Sequence, residues 1–371
     1  MRPANPLAVV LFVFLPLAAT GADRLTIEWP SEAFRTLQSA IDAAPDGATI
    51  AIKAGVYAIE APLDVSAKRL IFRGAGSGRR GGETSRLVGP DPQVVVADER
   101  GGLSLPAAAV RGMFNVDSGD VTFRHMRITG FDGGIVARDS GRGRPPTVEV
   151  EDLLIDGTGR GILAQTRGLV TIRDVTIERT QWNGISVGSL TARAAAKLSA
   201  LVIHATLGPG IYFENTKAGI DGCVVSGAFG GGIVGIASTA IIADCQLSFN
   251  HQGGIILKDS TGILFDNEIF DTTPVNGLGG DGIELWKSGA LITNNDIHDN
   301  QRAAISFFGG TGSLHNNTMT CNAMDIDVED WNGATGKVIN DMGNVCGCGQ
   351  PDECNAISSQ LQPPEPVAGI E

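Results

Sequence analysis

The amino-acid sequence predicts an all-β solenoid, in which one chain winds through many short coils of parallel β-strands. Three observations predict it: an isoleucine that recurs nine times and follows a glycine in seven of them, an Asp or Asn that recurs in step with it, and an aliphatic residue three positions after that Asp or Asn. Fixed repeats of this kind are typical of coils that stack on one another, because a single coil cannot bury its apolar side alone.

The first repeat is carried by isoleucines that open short β-branched segments. They are Ile135, Ile162, Ile185, Ile211, Ile233, Ile255, Ile283, Ile305 and Ile326. Neighbouring isoleucines are 21 to 28 residues apart, shorter than the roughly 33 residues that a helical repeat needs. Two or three short strands are therefore expected in each coil, paired in parallel with those of the next coil about 4.8 Å away.

Two further ladders run in phase with the isoleucines. The first consists of Asp152, Asp174, Ala200, Gly222, Asp244, Asp266, Asn294, Asn316 and Asp341, and the second of Ile155, Ile177, Ile203, Val225, Leu247, Ile269, Ile297 and Met319. Asp and Asn tolerate the left-handed backbone conformation, so the first ladder predicts a corner of each coil. The glycine before each isoleucine is expected where a larger residue would clash.

Composition and the N-terminus predict one exported domain. The chain has 50 glycines in 371 residues and 5% aromatic residues, which is typical of an elongated repeat. Arg2, the apolar run from Leu7 to Ala19 and the small residues before Asp23 are typical of a secretory signal, so residues 1–22 are expected to be removed. The apolar run is too short to predict a membrane span. A monomeric, periplasmic or secreted protein is expected.

A different pattern precedes the repeats. Phe34, Leu37, Ile41 and Ala44 mark one apolar face of a helix at 32–44, ended by the turn formers of residues 45–47. Strand-like segments follow at 48–52, 55–57 and 70–72. The helix is expected to cap the open end of a β-helix that occupies residues 23–348, with repeats at about 114–345. Residues 349–371 are expected to form a tail.

Some segments of the sequence carry a family resemblance. Residues 34–45, FRTLQSAIDAAP, and 50–57, IAIKAGVY, resemble the opening of right-handed β-helix proteins of the pectin-lyase-like superfamily. Later coils, such as GIEL at 282–285 and ITNNDI at 292–297, are similar to the carbohydrate-binding and sugar-hydrolase repeats of NosD-like proteins and alginate epimerases. The resemblance extends over about residues 32–345. It implies a right-handed, single-stranded parallel β-helix that binds or acts on a polysaccharide.

The catalytic motifs of these families are absent. The sequence contains neither the Arg-x-Pro-x-x-Arg motif of pectate lyases nor the Asp-Pro-His-Asp motif of alginate epimerases. No catalytic residue is therefore carried over by resemblance. The net charge of −13 argues against a nucleic-acid ligand, whose phosphates would be repelled. An acidic polysaccharide stays possible as a partner, because a local basic strip can dominate once salt screens distant charges.

The outward positions after the repeated isoleucines are predicted to form a shallow groove along the solenoid. Strand alternation points Ile255 and Leu257 inward, and Ile256 and Lys258 outward. The coils of Ile211, Ile255 and Ile283 supply the richest set of polar and aromatic side chains. The candidate catalytic residues are Lys258, His251, Glu284 and Tyr212, and the candidate substrate-binding residues are Glu214, Asp281, Trp286, Lys287 and Arg302.

These residue types suit proton abstraction beside the carboxylate of a uronate sugar, the chemistry of a polysaccharide lyase or epimerase. Lys258 or His251 is the expected base. Arg302 or Lys287 is expected to hold the substrate carboxylate, since a cation there stabilises the charge that develops.

The proton donor is expected to be Tyr212 or Glu284. Two other functions stay open. Glu214, Asp281 and Glu284 are possible members of the carboxylate pair of a glycoside hydrolase. Alternatively, the groove binds a glycan or a protein partner without catalysis.

An insertion and an acidic run complete the candidate features. Residues 272–280 lengthen one coil by six residues, and insertions in solenoids often lie on the binding face. The alternating acids of residues 325–330 form a possible calcium site, but they lack the spacing of a dedicated calcium loop, and a solvated acidic edge is favoured. No cofactor is expected.

Export makes disulfides the default for the six cysteines. Cys321 and Cys346 are expected to stack in adjacent coils, and Cys348 and Cys354 to close a short loop. Cys223 and Cys245, which are 22 residues apart, are expected to be stacked thiols of the core.

Overall fold

The computed structural model describes residues 25–79, 81–92, 110–141, 143–189, 193–277, 279–340, 343–350 and 352–358. Within these ranges the chain winds into a parallel β-helix with three faces, which we call faces I, II and III in the order in which each coil passes them. Face I is a sheet of 12 strands, and faces II and III together form a sheet of 22 strands. The predicted all-β class is confirmed. The predicted signal at residues 1–22 lies outside the described residues.

Face I carries the repeated isoleucines. Its strands are Leu63–Val65, Gly112–Val116, Gly133–Arg138, Arg160–Gln165, Ile185–Gly188, Ile211–Glu214, Ile233–Ile236, Gly253–Lys258, Asp281–Trp286, Ala303–Phe308, Met324–Glu329 and Ala356–Ile357.

Faces II and III meet at the corner that the Asp/Asn ladder forms. Face II contains Thr26–Trp29, Thr49–Ile52, Leu70–Arg73, Ala194–Ser199, Thr216–Asp221, Thr239–Ala243, Thr261–Phe265, Gly289–Thr293, Thr311–His315 and Lys337–Asn340. Face III contains Gly55–Ala58, Ser85–Val88, Val202–His204, Val224–Ser226, Gln246–Ser248, Glu268–Phe270, Asp296–His298, Thr318–Thr320 and Val345–Gly347. Three long strands run through both faces: Asp120–Thr129, Thr147–Asp156 and Leu169–Glu178.

The predicted ladders are confirmed as the core of the solenoid. Each of the nine isoleucines pairs in register with the next, from Ile135 to Ile326, and all nine are 0% exposed. The aliphatic ladder from Ile155 to Met319 pairs in the same way on face III. The two ladders converge inside the helix, so the register of the strands is fixed by burial of both.

The corner ladder adopts the predicted left-handed conformation. From Asp152 to Asn316 its eight described members have φ between 49° and 59°. The ninth, Asp341, lies outside the described residues. Asn344, 27 residues after Asn317, is the residue whose side chain accepts a hydrogen bond from the Asn317 backbone N–H, 2.8 Å away.

A buried asparagine ladder, absent from our sequence analysis, follows directly after that corner. Asn295 shows its role: its Oδ1 accepts from the backbone N–H of Asn267 in the preceding coil at 3.0 Å, and its Nδ2 donates to the carbonyl of Leu264 at 3.0 Å. Asn267 and Asn317 repeat the pattern. These side chains satisfy backbone groups that have no strand partner at the bend.

The glycines before the isoleucines lie in close contact with the next coil, as predicted. A Cβ added to Gly254 would lie 2.4 Å from Ile269 Cγ2 and 2.7 Å from the Gly282 carbonyl oxygen. There is no room for a side chain at this position because the corner between faces III and I brings the backbones of neighbouring coils together.

The predicted N-terminal helix is present but shorter. It extends over Leu37–Ala43, and Thr36 caps it by accepting a hydrogen bond from the Ser39 N–H. Residues 31–34 form a turn instead, closed by hydrogen bonds between Ser31 and Phe34. Leu37 and Ile41 are buried in the same core as the first coils. No described helix is long and apolar enough to span a membrane.

The cysteine prediction is partly wrong. Disulfides join Cys321 to Cys348 and Cys346 to Cys354. Register explains the difference: the last coil is longer than the one before it, so Met319 pairs with Cys346, and Cys321 is bonded to Cys348. Cys223 and Cys245 are buried thiols of the core, as expected.

Candidate functional site

The outer side of face I is covered by an apolar layer instead of forming an open groove. Tyr212, Val234, Ile256, Trp286 and Phe308 pack against one another there, and we call them the outer apolar layer. Each points away from the helix axis, yet none is more than 9% exposed. The predicted outward orientation of Ile256 holds, but the predicted exposure does not, because side chains from adjacent coils stack over one another.

A buried charged cluster lies at the C-terminal end of this layer. Arg302, in the turn before strand Ala303–Phe308, forms ion pairs with Asp281 in the preceding coil and with Asp327 in the following coil. Both aspartate side chains are 0% exposed. The Arg302 guanidinium also lies 5.2 Å from the centre of the Phe308 ring. The cation that we expected to hold a substrate carboxylate thus already holds two carboxylates of the protein.

Glu284 extends this cluster without a cation of its own. It is 2% exposed, and its Oε2 accepts a hydrogen bond from Trp286 Nε1 at 2.9 Å. Its Oε1 has no hydrogen-bond partner within the described residues. Oε1 faces Gly253 of the preceding coil, where a Cβ would lie 3.3 Å away.

The environment of Glu284 favours its neutral form. Burial raises the pKa of Glu284 well above its usual range, and the nearby charge of Asp281 raises it further. The donor Trp286 opposes this shift only in part. The surroundings of Glu284 therefore favour the protonated acid, which can donate a proton, over the carboxylate.

Aromatic rings enclose the acid on one side. Trp286 lies 4.4 Å from Phe308, ring centre to ring centre, and 5.4 Å from Trp331 at an angle of 87°. Trp331 belongs to a tight turn in which it exchanges backbone hydrogen bonds with Ala334. Trp286 is 3% exposed and Phe308 0% exposed, so these rings shield Glu284 from solvent.

Two lysines flank this aromatic region. Lys258 ends its strand in register with Trp286 and is partly exposed. Lys287 follows Trp286 at the corner between faces I and II, where it is exposed with φ of 46°. Neither lysine forms an ion pair or a hydrogen bond with another described residue through its side chain.

Tyr212 and Glu214 form a separate pair. The Tyr212 hydroxyl donates to Glu214 Oε2 at 3.0 Å, and burial raises the pKa of Tyr212, with a further contribution from Glu214. The strands Ile233–Ile236 and Gly253–Lys258 separate Tyr212 from Glu284. At about 4.8 Å per coil the two residues are roughly 14 Å apart.

His251 lies at the opposite edge of face I. It precedes the strand Gly253–Lys258, which Lys258 ends, so the two candidate bases stand at opposite ends of one strand. Its Nδ1 is 2.7 Å from Thr273 Oγ1, and its ring contacts Phe229 at 5.0 Å between centres. Only Lys258 lies on the same side as Trp286.

Several members of the site were missed in the sequence. Asp327 was assigned to a solvated acidic edge, and Trp331 and Phe308 were not considered at all. Phe308 and Asp327 follow Ile305 and Ile326 at outward positions, so the repeat itself carried the signal for them. Trp331 lies in a turn after the last repeated isoleucine, Ile326, and no pattern points to it.

The insertion at 272–280 borders the cluster. The Arg302 N–H donates to the Gly280 carbonyl at 3.0 Å, and the Gly280 N–H donates to the Gln252 carbonyl at 2.5 Å. Across the described ranges, no group of three or more His, Cys, Asp or Glu residues is arranged to hold a metal ion.

Comparisons with known proteins agree with this architecture. Residues 189–341 match the family model described as a right-handed β-helix region. The A-module of mannuronan C-5 epimerase AlgE6 from Azotobacter vinelandii is 15% identical, with a TM-score of 0.56 over 85% of this chain and 95% of that chain. The periplasmic alginate epimerase AlgG is 11% identical, with a TM-score of 0.52 over 90% of this chain and 83% of that chain.

A third similar structure is a catalytic unit with another activity. The thermostable GH87 α-1,3-glucanase from Streptomyces thermodiastaticus is 13% identical, with a TM-score of 0.53 over 88% of this chain and 69% of that chain. No curated protein sequence matches this chain. The similarities confirm the predicted right-handed parallel β-helix, and at these identities they establish the fold alone.

Proposed function

We propose that the protein acts on an acidic polysaccharide as a lyase or epimerase, at the C-terminal end of the outer apolar layer. The observation that carries the proposal is Glu284, a carboxyl group 2% exposed with one oxygen that has no hydrogen-bond partner among the residues the structure describes. An ionised, unpaired carboxylate costs several kcal/mol in such a place. Buried acids with strongly shifted pKa values cluster at functional sites, where they serve as proton donors.

The proposed acid Glu284 and the proposed base Lys258 lie close to one another. They lie on adjacent strands of face I, two residues out of register. Strand spacing and rise place their Cα atoms about 8 Å apart. Glu284 would protonate the leaving oxygen or the sugar carbon, and Lys258 would accept the proton beside the carboxylate.

The substrate carboxylate needs a cation, and Lys287 is better suited than Arg302. The side chain of Arg302 is 12% exposed, and its charge is neutralised by two aspartates. Arg302 therefore holds Asp281 and Asp327 in place beneath the site. Lys287 is exposed beside Trp286 and makes no ion pair among the described residues. A cation at this position stabilises the negative charge that develops when the neighbouring proton leaves.

Hydrolysis is less well supported. Glycoside hydrolases hold their two carboxyl groups about 5 to 9.5 Å apart around the scissile bond. The charge of Asp281 acts on Glu284, but Asp281 is already committed to its ion pair with Arg302. The distant Glu214 is bound to Tyr212.

The two disulfides support an oxidising compartment, so we propose that the protein is periplasmic or secreted. Solved proteins with this fold include two epimerases, named for mannuronan and alginate. This likeness supports a glycan as the ligand.

The proposal is tested by incubating the full chain with alginate, pectate and hyaluronan. Absorbance of the unsaturated product reports a lyase, and proton NMR of the sugar reports an epimerase. Glu284→Gln and Lys258→Ala are each expected to lower kcat by about 10²- to 10⁴-fold, the usual contribution of a positioned acid or base.

Glu60→Gln is the matched control, since Glu60 is exposed on a turn near the N-terminus. It should retain full activity. Binding of these polymers without product or epimerised sugar would leave the non-catalytic binding protein as the function. Reducing ends without an unsaturated product would favour hydrolysis.

A further inference from the structure

Two of the six cysteines are thiols in the middle of the solenoid. Cys223 is 0% exposed and Cys245 is 2% exposed, and they lie 22 residues apart, which is one coil repeat. The other four cysteines form disulfides, which persist in oxidising compartments. The proposed reaction uses neither thiol, so the pair needs an explanation of its own.

Strand register places the two cysteines opposite each other in adjacent coils. The residues that follow them, Val224 and Gln246, are paired on face III, and the Gln246 N–H donates to the Cys223 carbonyl at 2.8 Å. Adjacent parallel strands lie about 4.8 Å apart. This spacing lies within the Cα–Cα range of about 4.4 to 6.8 Å that a disulfide can span.

The side chains at this position point into the solenoid and meet those of the next coil. The asparagine ladder shows this directly, because Asn267 Nδ2 lies 2.9 Å from Asn295 Oδ1. Cys223 and Cys245 occupy the two preceding steps of the same ladder, and the Cys245 N–H donates to Asn267 Oδ1 at 3.1 Å. A hydrogen bond with the Cys223 side chain is the first of the influences that raise the pKa of Cys245, so the two thiols act on one another.

Loss of the two thiol protons would leave no carbonyl without a donor. Cys223 Sγ donates to the Asp221 carbonyl at 3.4 Å, and Cys245 Sγ donates to the Ala243 carbonyl at 3.2 Å. These carbonyls also accept backbone N–H groups of the preceding coil, at 3.0 Å and 3.1 Å respectively. Oxidation therefore removes only weak, additional hydrogen bonds.

The chain already joins adjacent coils by a disulfide at its C-terminal end. Thr320 pairs with Gly347, and the residues that follow them, Cys321 and Cys348, are bonded with their Cα atoms 4.5 Å apart. A cross-link between opposite residues of adjacent coils is thus compatible with the stacking of this solenoid.

We propose that Cys223 and Cys245 are an oxidisable pair that forms a third disulfide, which joins two adjacent coils in the middle of the solenoid. The inference goes beyond the proposed function and does not depend on it. Because both thiols are buried, the reaction takes place while the coils are not yet stacked or are locally open.

The oxidant is a compound that itself contains a disulfide. One cysteine thiolate attacks the S–S bond of the oxidant, which gives a mixed disulfide and releases one thiol. The second cysteine thiolate attacks the protein sulfur of the mixed disulfide and releases the second thiol. The pair loses two electrons and two protons, and the oxidant takes them up as two thiols.

Refolding of the full chain tests the proposal. The reduced protein is unfolded in urea, refolded with oxidised and reduced glutathione, and then alkylated in urea. Trypsin leaves both cysteines in one peptide, because Lys217 and Lys258 are the nearest cleavage sites. Chymotryptic cleavage after Phe229 separates them unless a disulfide joins them. Mass spectrometry should detect the two fragments joined and without the alkyl label.

The bond between Cys321 and Cys348 is the internal control, since it must form in the same sample. If it forms while Cys223 and Cys245 both carry the alkyl label, the proposal is wrong. Glutathione bound to either cysteine would also overturn it, because the thiols would then react singly. In the variant Cys245→Ala, Cys223 should carry the label or glutathione, and a Cys223 with neither would contradict the pairing.

Discussion

Glu284 illustrates how much a single position depends on its neighbours in adjacent coils. Its sequence position marks it as outward, because it follows Ile283. Its burial comes from Trp286, two residues along the same strand, and from residues of other coils, including Ile256 and the ion-paired Arg302. Strand alternation predicts direction, but not whether the outer side of a strand is covered.

The neutral state of Glu284 predicts a specific pH dependence of stability. Its folded pKa is raised above the unfolded value, so the stability linked to its proton is fully present below pH 4.5 and is lost as the pH rises through the folded pKa. Over that window the free energy of unfolding should fall by up to about 1.4 kcal/mol per pH unit from this group.

Urea unfolding of the wild type and of Glu284→Gln between pH 4 and 9 measures this term. The variant has no proton to lose there, so it should become more stable relative to the wild type as the pH rises. If the free energy of unfolding changed with pH in the same way in both proteins, the interpretation of Glu284 as a neutral acid would be wrong. Glu60→Gln is again the control, because Glu60 is exposed in both states.

At the scale of one coil, the glycine before each isoleucine sets how closely coils approach. Gly254→Ala should lower the free energy of unfolding by about 1 to 3 kcal/mol, since the new Cβ would overlap Ile269 and the Gly282 carbonyl. Thermal unfolding measures the loss. Gly219→Ala is the matched control: Gly219 lies within a face II strand with open space around its Cα, and should show no loss.

The asparagine ladder is the second feature that stabilises each coil. Asn295→Ala should cost about 2 to 4 kcal/mol, because it leaves the Asn267 N–H and the Leu264 carbonyl unsatisfied in a buried site. The neighbouring Asn294, exposed with φ of 55°, supplies the control. Asn294→Gly suits the left-handed backbone and should change stability by less than about 0.5 kcal/mol.

Sequence reasoning at this scale identified the corners but not the ladder behind them. The sign of φ at Asp266 or Asn294 follows from residue chemistry alone. That Asn267 and Asn295 face inward, however, depends on a bend that leaves backbone groups without strand partners. In the preceding coils the same position after the bend is occupied by Leu201, Cys223 and Cys245. The type of side chain alone therefore does not reveal which residues form the ladder.

For the whole molecule, periodicity made the fold predictable. The isoleucine and aliphatic ladders determine register from Ile135 to Ile326, because a slip of one residue would turn the buried set outward. The C-terminal end of the solenoid was harder to predict. The last coil is lengthened between Asn317 and Asn344, so the cysteine partners shifted by two positions from the expected ones. The outer apolar layer was also missed, since only stacking creates it.

The disulfides at the C-terminal end predict local stabilisation. Cys321→Ser/Cys348→Ser opens a loop of 27 residues and should cost about 2 to 4 kcal/mol. Hydrogen exchange should become faster at Thr318–Thr320 and Met324–Glu329, while Gln246–Ser248 keeps its protection, because coils contact only their neighbours. Uniformly faster exchange along the solenoid would contradict this.

The spacing of 22 residues between Ile233 and Ile255 has an engineering consequence. The coil between them carries none of the charged residues of the buried cluster, and its strands pair in register on both sides. Excising this coil would bring Lys217 one coil nearer to Lys258 and shorten the solenoid by one coil. Duplicating this coil would lengthen the solenoid by one coil. Variants of different length would therefore show how many sugars of a glycan the protein contacts.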